Sequence, residues 1–515
     1  MCGTLITKIN SCAFIGIEGV IIEVETDISK GVPSFEIVGL PDTAVKESKE
    51  RVRSALKNSK IQFPPMKYTI NLAPASIKKE GALFDFPIAA GILCSLKIIP
   101  KDALLNHMII GELSLNGDLR SAHGILAAAI AAKQAGMAGI FVPENNAPEA
   151  SVVDGLKVYP CKNLTEFIRH LTGEAEILSF KAENADSLKR VRLSIDYAEV
   201  KGQESAKRAL EIAAAGGHNC LMVGSPGTGK TMLAKRLPTI LPDLTFDESM
   251  EVTKIHSISG ILPPKTPLII ERPFRSPHHT ISANGMSGGG RIPRPGEVSL
   301  AHHGVLFLDE LPEFHKDTLE VLRQPLEDSK ITISRVASTL TYPCNIMLIT
   351  AMNPCRCGFL NDPYHECTCS SHQVHQYLSK ISGPLLDRMD IHIEVNPIRY
   401  DDLSDNSPAV ATSEEIKKRV CDARDIQKKR FENDGIFTNS QMSDSHIEKY
   451  CKLGEAENKI LKSAFEKLGL SARAYNRILK VARTIADLDN SENIGKKHLL
   501  EAIQYRSMDS KLKNT

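Results

Sequence analysis

The stretch "CLMVGSPGTGKTMLAKRL" (220–237) leaves a chain few choices of fold. Four apolar residues lead into Gly224, and Gly229-Lys230-Thr231 follow at the G-x-x-x-x-G-K-[ST] spacing, ahead of a helical pattern. Strand, loop and helix in that order are what a phosphate-binding loop requires, so the fold class is α/β with a parallel sheet. Residues Gly224, Ser225, Pro226, Gly227, Thr228 and Gly229 would curl backbone N–H groups round phosphates, and the helix N-terminus adds its positive end. Lys230 would reach the β- and γ-phosphates of ATP, and the Thr231 hydroxyl would ligate Mg2+. A Gly-rich turn matching by chance would lack these flanks.

Three later stretches complete a hydrolytic site. "GVLFLDEL" (304–311) is a continuous apolar run, as in a buried parallel strand, whose C-terminal edge is where ligands bind. Asp309 at its end would hold Mg2+ through water, and Glu310 would orient and deprotonate the attacking water. "CNIMLITAMN" ends at Asn353, placed to polarise that water or touch the γ-phosphate. In "ISGPLLDRMDIHIEV", Arg388 is placed to act as an arginine finger on a neighbouring subunit's nucleotide; an ordinary surface arginine is the alternative. "LGLSARAYNRILKVARTIADL" (468–488) puts Arg473 and Arg477 on one helix face, with Arg473 the better candidate to read the nucleotide in cis.

At 515 residues the chain exceeds a single ordinary core. Residues 1–175 read as an α/β unit, 176–195 as a polar connector, 196–398 as the ATPase core and 410–515 as a helical lid. Charged residues at 24% and a net charge of +1 exclude a global basic field, so contact with nucleic acid must come from local patches. No apolar stretch is long enough to span a membrane and the N-terminus lacks an export pattern, which predicts a cytoplasmic protein. Twelve cysteines in a reducing compartment point to metal rather than disulfides where they cluster. They cluster in the 353–370 insert, "NPCRCGFLNDPYHECTCS", as Cys355, Cys357, Cys367 and Cys369. Four thiolates can close a structural Zn2+ site, though C-x-C-x9-C-x-C is not the usual finger spacing; free reduced thiols and a redox switch are the alternatives.

Phosphate loop, acidic strand end, asparagine-ended strand, arginine and helical lid, in this order, resemble an AAA+ ATPase. "PFRSPHHTISANGMSGGGRIPRPGEVSLAHHGVLFLDELPEF" (273–314) is similar to the signature of the magnesium-chelatase-like ATPases, and nearly the whole chain resembles the YifB/ComM family of bacterial proteins. The resemblance implies a homo-hexameric ring, kinship with the MCM helicases, and a DNA helicase or branch-migration role in recombination or natural transformation. It also implies that two segments project toward a pore. One is the Gly288–Gly290 run with Arg291 and Arg294. The other is "EDSKITISRVASTLTYP" (327–343), with β-type alternation, a turn around Val336–Ser338, and Lys330 and Arg335 available to single-stranded or branched DNA. Subunit packing is the alternative for both.

In the N-terminal block, "KKEGALFDFPIAAGIL" and "GELSLNGDLRSAHGILAAAIAAKQAG" resemble the two catalytic segments of the Lon-type Ser–Lys protease domain. Aligned by their glycines, Leu83 stands at the serine position and Leu126 at the lysine position. A nucleophile needs an ionisable partner, so the block reads as an inactive protease-like scaffold. A nucleic-acid motor is thus weighed against a chelatase-like or protein-remodelling ATPase acting on a partner protein.

Overall fold

A computed structural model describes residues 6–181, 195–290, 293–335, 338–397 and 411–507. Contacts divide the chain into two compact units: residues up to Lys189 with Phe246–Ile269, and Arg190–Thr245 with Ile270 onward. Most of the expected connector, and the junction between core and lid at 398–410, lie outside the described residues. Among the described residues no helix is long and apolar enough to cross a membrane.

The first unit is built on a seven-stranded mixed sheet. Its strands are β1 (Thr7–Ile15), β2 (Glu18–Ser29), β3 (Ser34–Val38), β4 (Lys67–Ala73), β5 (His107–Ile109), β8 (Gly139–Pro143) and β9 (Lys157–Cys161), in the order β3-β4-β2-β1-β5-β8-β9. A short antiparallel pair, β6 (Glu112–Leu113) and β7 (Leu119–Arg120), stands apart. Helix α1 (Thr43–Asn58) starts where the Asp42 carboxylate accepts from the Val45 N–H, and it buries Val45, Val52 and Leu56 on one face. Helix α2 (Asp85–Ser95) is apolar all round and almost wholly buried. Helix α3 (Ile125–Gln134) starts at Gly124 and lies near the short α4 (Ala147–Ala150); α5 is Leu164–Leu171.

Residues 246–269 come from within the stretch read as ATPase core, yet they pack into this first unit. Their helix, α8 (Phe246–Ser259), buries Val252 and Ile255, and Met250 packs on the apolar cluster around α3. Nothing local in the segment names its packing partner, which is why sequence order alone assigned it to the core.

The second unit carries a five-stranded, all-parallel sheet. The order is β11 (Phe274–Arg275), β14 (Val305–Leu308), β17 (Met347–Met352), β10 (Cys220–Val223), β18 (Ile391–Glu394). Strand β10 leads through the glycine loop into α7 (Lys230–Arg236), while α6 (Glu204–Gly216) precedes it. Two small antiparallel hairpins leave this sheet: β12 (Gly288–Gly289) with β13 (Arg294–Pro295), and β15 (Lys330–Arg335) with β16 (Ser338–Pro343). The C-terminal helices include Ser413–Arg430 and Ala472–Leu488. The first begins in a complete capping box between Thr412 and Glu415. Their Val420, Ile478 and Ala482 share one apolar core with Ala209, Met222 and Ile391, so lid and core bury a continuous interior.

Candidate nucleotide site

Gly229, at φ 88°, caps α7 in the left-handed region that a side chain would resist. The next residue, Lys230, is only 8% exposed. Its ammonium donates to the carbonyls of Gly224 at 2.7 Å and Ser225 at 2.9 Å and to Asn353 Oδ1 at 3.3 Å. Burial pushes the Lys230 pKa down, and the negative charge of Asp309 opposes that shift. A buried ammonium resting on neutral acceptors is suited to exchange them for phosphate oxygens. Thr228 and Ser225 are buried beneath the loop, whereas Pro226 and Gly227 are exposed on its crest.

Thr231 Oγ1 donates to Asp309 Oδ2 at 2.6 Å, so the two expected Mg2+ ligands meet across the ends of α7 and β14. A hydroxyl and a carboxylate are hard oxygen donors and fit Mg2+, which when bound neutralises phosphate charge. Glu310 is exposed and lies at φ 52°, a left-handed conformation uncommon outside glycine that gathers where a side chain must be aimed. Its carboxylate faces His279 Nδ1 at 3.4 Å. The sequence analysis does not name this contact; its one signal is that "SPHHT" and the acidic strand end fall within the same stretch, 273–314.

Asn353 follows the last residue of β17, and its Oδ1 accepts from the Lys230 ammonium. Lys230, Thr231, Asp309, Glu310 and Asn353 thus stand at the C-terminal ends of β10, β14 and β17, the edge where parallel sheets bind ligands. Arg388 is only 6% exposed, and its guanidinium pairs with Glu327 and donates to the Pro384 carbonyl at 2.7 Å. Arg477 pairs with the buried Asp390 and donates to the Arg388 carbonyl at 3.2 Å. Asp390 also accepts from the Asn219 N–H at 3.1 Å, and its neighbours hold its pKa well below the usual carboxylate range despite burial. Arg473, one turn earlier, is exposed and makes no hydrogen bond or ion pair among the described residues.

Lys330 is exposed at the base of the β15–β16 hairpin, and Arg294 is exposed in β13. Arg291, the side chain of Arg335 and residues 336–337 of the expected turn lie outside the described residues. The two inserts touch: the Tyr342 hydroxyl donates to the Pro293 carbonyl at 2.9 Å. The Sγ atoms of Cys355, Cys357, Cys367 and Cys369 all lie within 4.8 Å of one another. In the first unit, Leu126 belongs to an apolar cluster against which Leu83 packs. The two positions matched to the protease pair therefore share one cluster, and both are hydrocarbon there.

Comparison with known proteins agrees with this geometry. The family described as "Magnesium chelatase, subunit ChlI" matches residues 196–403, "Subunit ChlI of Mg-chelatase" matches 24–146, and "Magnesium chelatase, subunit ChlI C-terminal" matches 410–506. Competence protein ComM of Haemophilus influenzae is 41% identical over 508 residues, covering 97% of each chain. YifB of Escherichia coli is 42% identical over 501 residues, again covering 97% of each chain. Lon protease 2 of Bacillus subtilis is 30% identical over 145 residues, 26% of each chain. With a phosphate loop, an acidic strand end and full-length similarity of this degree, the chain belongs to the YifB/ComM family of magnesium-chelatase-like AAA+ proteins.

Proposed function

We propose that this chain is an ATP-driven motor on single-stranded or branched DNA, working as a homo-hexamer in recombination or natural transformation. The AAA+ family implies ATP hydrolysis with Mg2+. The observation that carries the DNA reading is the β15–β16 hairpin. Ile331 and Ile333 are buried while Lys330, Thr332 and Ser334 are exposed, which gives one face of cation and hydroxyls suited to phosphate oxygens. The relative named a competence protein supports the same reading. Arg388 would serve as finger to a neighbour's nucleotide once its pair with Glu327 opens, and Arg473 would read the nucleotide in cis. The four clustered cysteines would hold a structural Zn2+. The eleven cysteines among the described residues are all free thiols, which supports a cytoplasmic setting.

The test is ATP turnover with and without forked or single-stranded DNA, across a salt series. Turnover should rise with DNA, and the DNA affinity should fall steeply with salt because phosphate contacts release counterions. Lys330→Ala with Arg335→Ala should lower DNA affinity and leave turnover without DNA intact; unchanged affinity contradicts the hairpin's role. A second reading, an ATPase that remodels a partner protein as chelatase subunits do, is favoured by the matched family descriptions. A stoichiometric protein partner with no DNA response would select it.

A further inference from the structure

The cysteine insert does more than follow the catalytic strand; it lies on the phosphate loop. Cys355 Sγ is 3.3 Å from Cys357 Sγ and 3.7 Å from Cys367 Sγ, and Cys357 and Cys367 are 3.6 Å apart. A regular tetrahedron of sulfurs with metal–sulfur bonds of about 2.3 Å has edges of about 3.8 Å. The observed spacing fits one metal ion, and is far wider than the ~2.05 Å of a disulfide. Cys369 directly precedes Ser370, whose hydroxyl and backbone close a capping box on helix Ser371–Leu378. Both ends of the insert are therefore fixed, one on β17 and one on that helix.

Between the cysteine pairs the insert meets the phosphate loop at two points. Gly358 lies at φ 89°, and a Cβ there would stand 2.6 Å from Cδ of Pro226. Ser225 is also the largest influence holding the Asp362 carboxyl below its usual range, and that carboxylate accepts from the backbone N–H groups of Tyr364 at 2.9 Å and His365 at 3.0 Å. Ser225 and Pro226 belong to the loop whose Gly224 and Ser225 carbonyls hold Lys230. We propose that a zinc ion held by Cys355, Cys357, Cys367 and Cys369 clamps the phosphate loop through Gly358 and Asp362, so that ATP affinity depends on the metal.

This rests on the structural Zn2+ reading above but is independent of DNA, because ATP binding is measured with no DNA present. Full-length protein purified without chelator should contain one zinc per chain. Asp362→Ala and Gly358→Ala keep all four thiols. Both should retain the zinc yet bind ATP about tenfold more weakly, as expected when the seat of the insert on the loop is disturbed. Cys367→Ser should lose the metal and weaken ATP binding by a similar factor. Absence of thiol-bound zinc in the native protein overturns the proposal. So does native ATP affinity in zinc-loaded Asp362→Ala and Gly358→Ala, which stay informative if Cys367→Ser does not fold.

Discussion

Helices α7 and α3 begin with the same local device and end in opposite chemistry. Each starts at a left-handed glycine, Gly229 at φ 88° and Gly124 at φ 79°. Each therefore offers a helix N-terminus with unpaired N–H groups. At α7 the next residue is Lys230, whose ammonium rests on neutral carbonyls. At α3 the chain supplies its own anion: the Leu126 N–H donates to Glu149 Oε1 at 2.7 Å, and the Gly124 N–H donates to Ser257 Oγ at 2.9 Å. Ser257 in turn donates to Glu149, and Asn146 donates to the second carboxylate oxygen at 3.2 Å. One helix end is kept for a ligand and the other is closed by a buried carboxylate. A glycine turn ahead of a helix marks a place where a site can form, and the groups left unsatisfied decide whether it does.

The strongest way to break this contrast is to put the charge back. Leu126→Lys buries an ammonium among Ile125, Ala129 and Met108. It should destabilise the first unit by about 3–5 kcal/mol, the cost of an uncompensated buried charge, with no peptide hydrolysis gained. Thermal unfolding and a peptidase assay read both. A stable variant that cleaves peptides would mean that the fold keeps a working protease geometry.

A smaller effect sharpens the same contrast. Burial pushes the Glu149 pKa above the ordinary carboxylate value, against the pull of Ser257, Leu126 and Asn146. With the folded value raised, the carboxyl's contribution to stability is full below the unfolded pKa and is lost as pH rises through the folded one. Unfolding temperatures from about pH 4 upward should therefore fall more for the native protein than for Glu149→Gln. Parallel curves would show that the helix end is not closed by a titrating carboxylate.

The nucleotide site was legible because its evidence is local. Gly224 to Thr231 lie in one turn of chain, and Asp309-Glu310 mark the end of an apolar run. The alternation of Ile331 and Ile333 was legible for the same reason. Pairings across distance were not. Glu327 lies 61 residues before Arg388, and Asp390 lies 87 before Arg477; no periodicity links either pair. The same limit hid the packing of 246–269 on the first unit. The cysteine insert was half legible: its spacing suggested a metal, but its seat on Ser225 and Pro226 appears only in three dimensions.

We propose that hydrolysis belongs to Lys230, Thr231, Asp309 and Glu310, with Glu310 the base. Glu310→Gln keeps the shape and removes the charge. ATP turnover should fall by about 10²–10⁴-fold while ATP binding stays within a few-fold of native, as removal of a general base predicts. Native turnover in Glu310→Gln, in protein that binds ATP normally, would contradict the account.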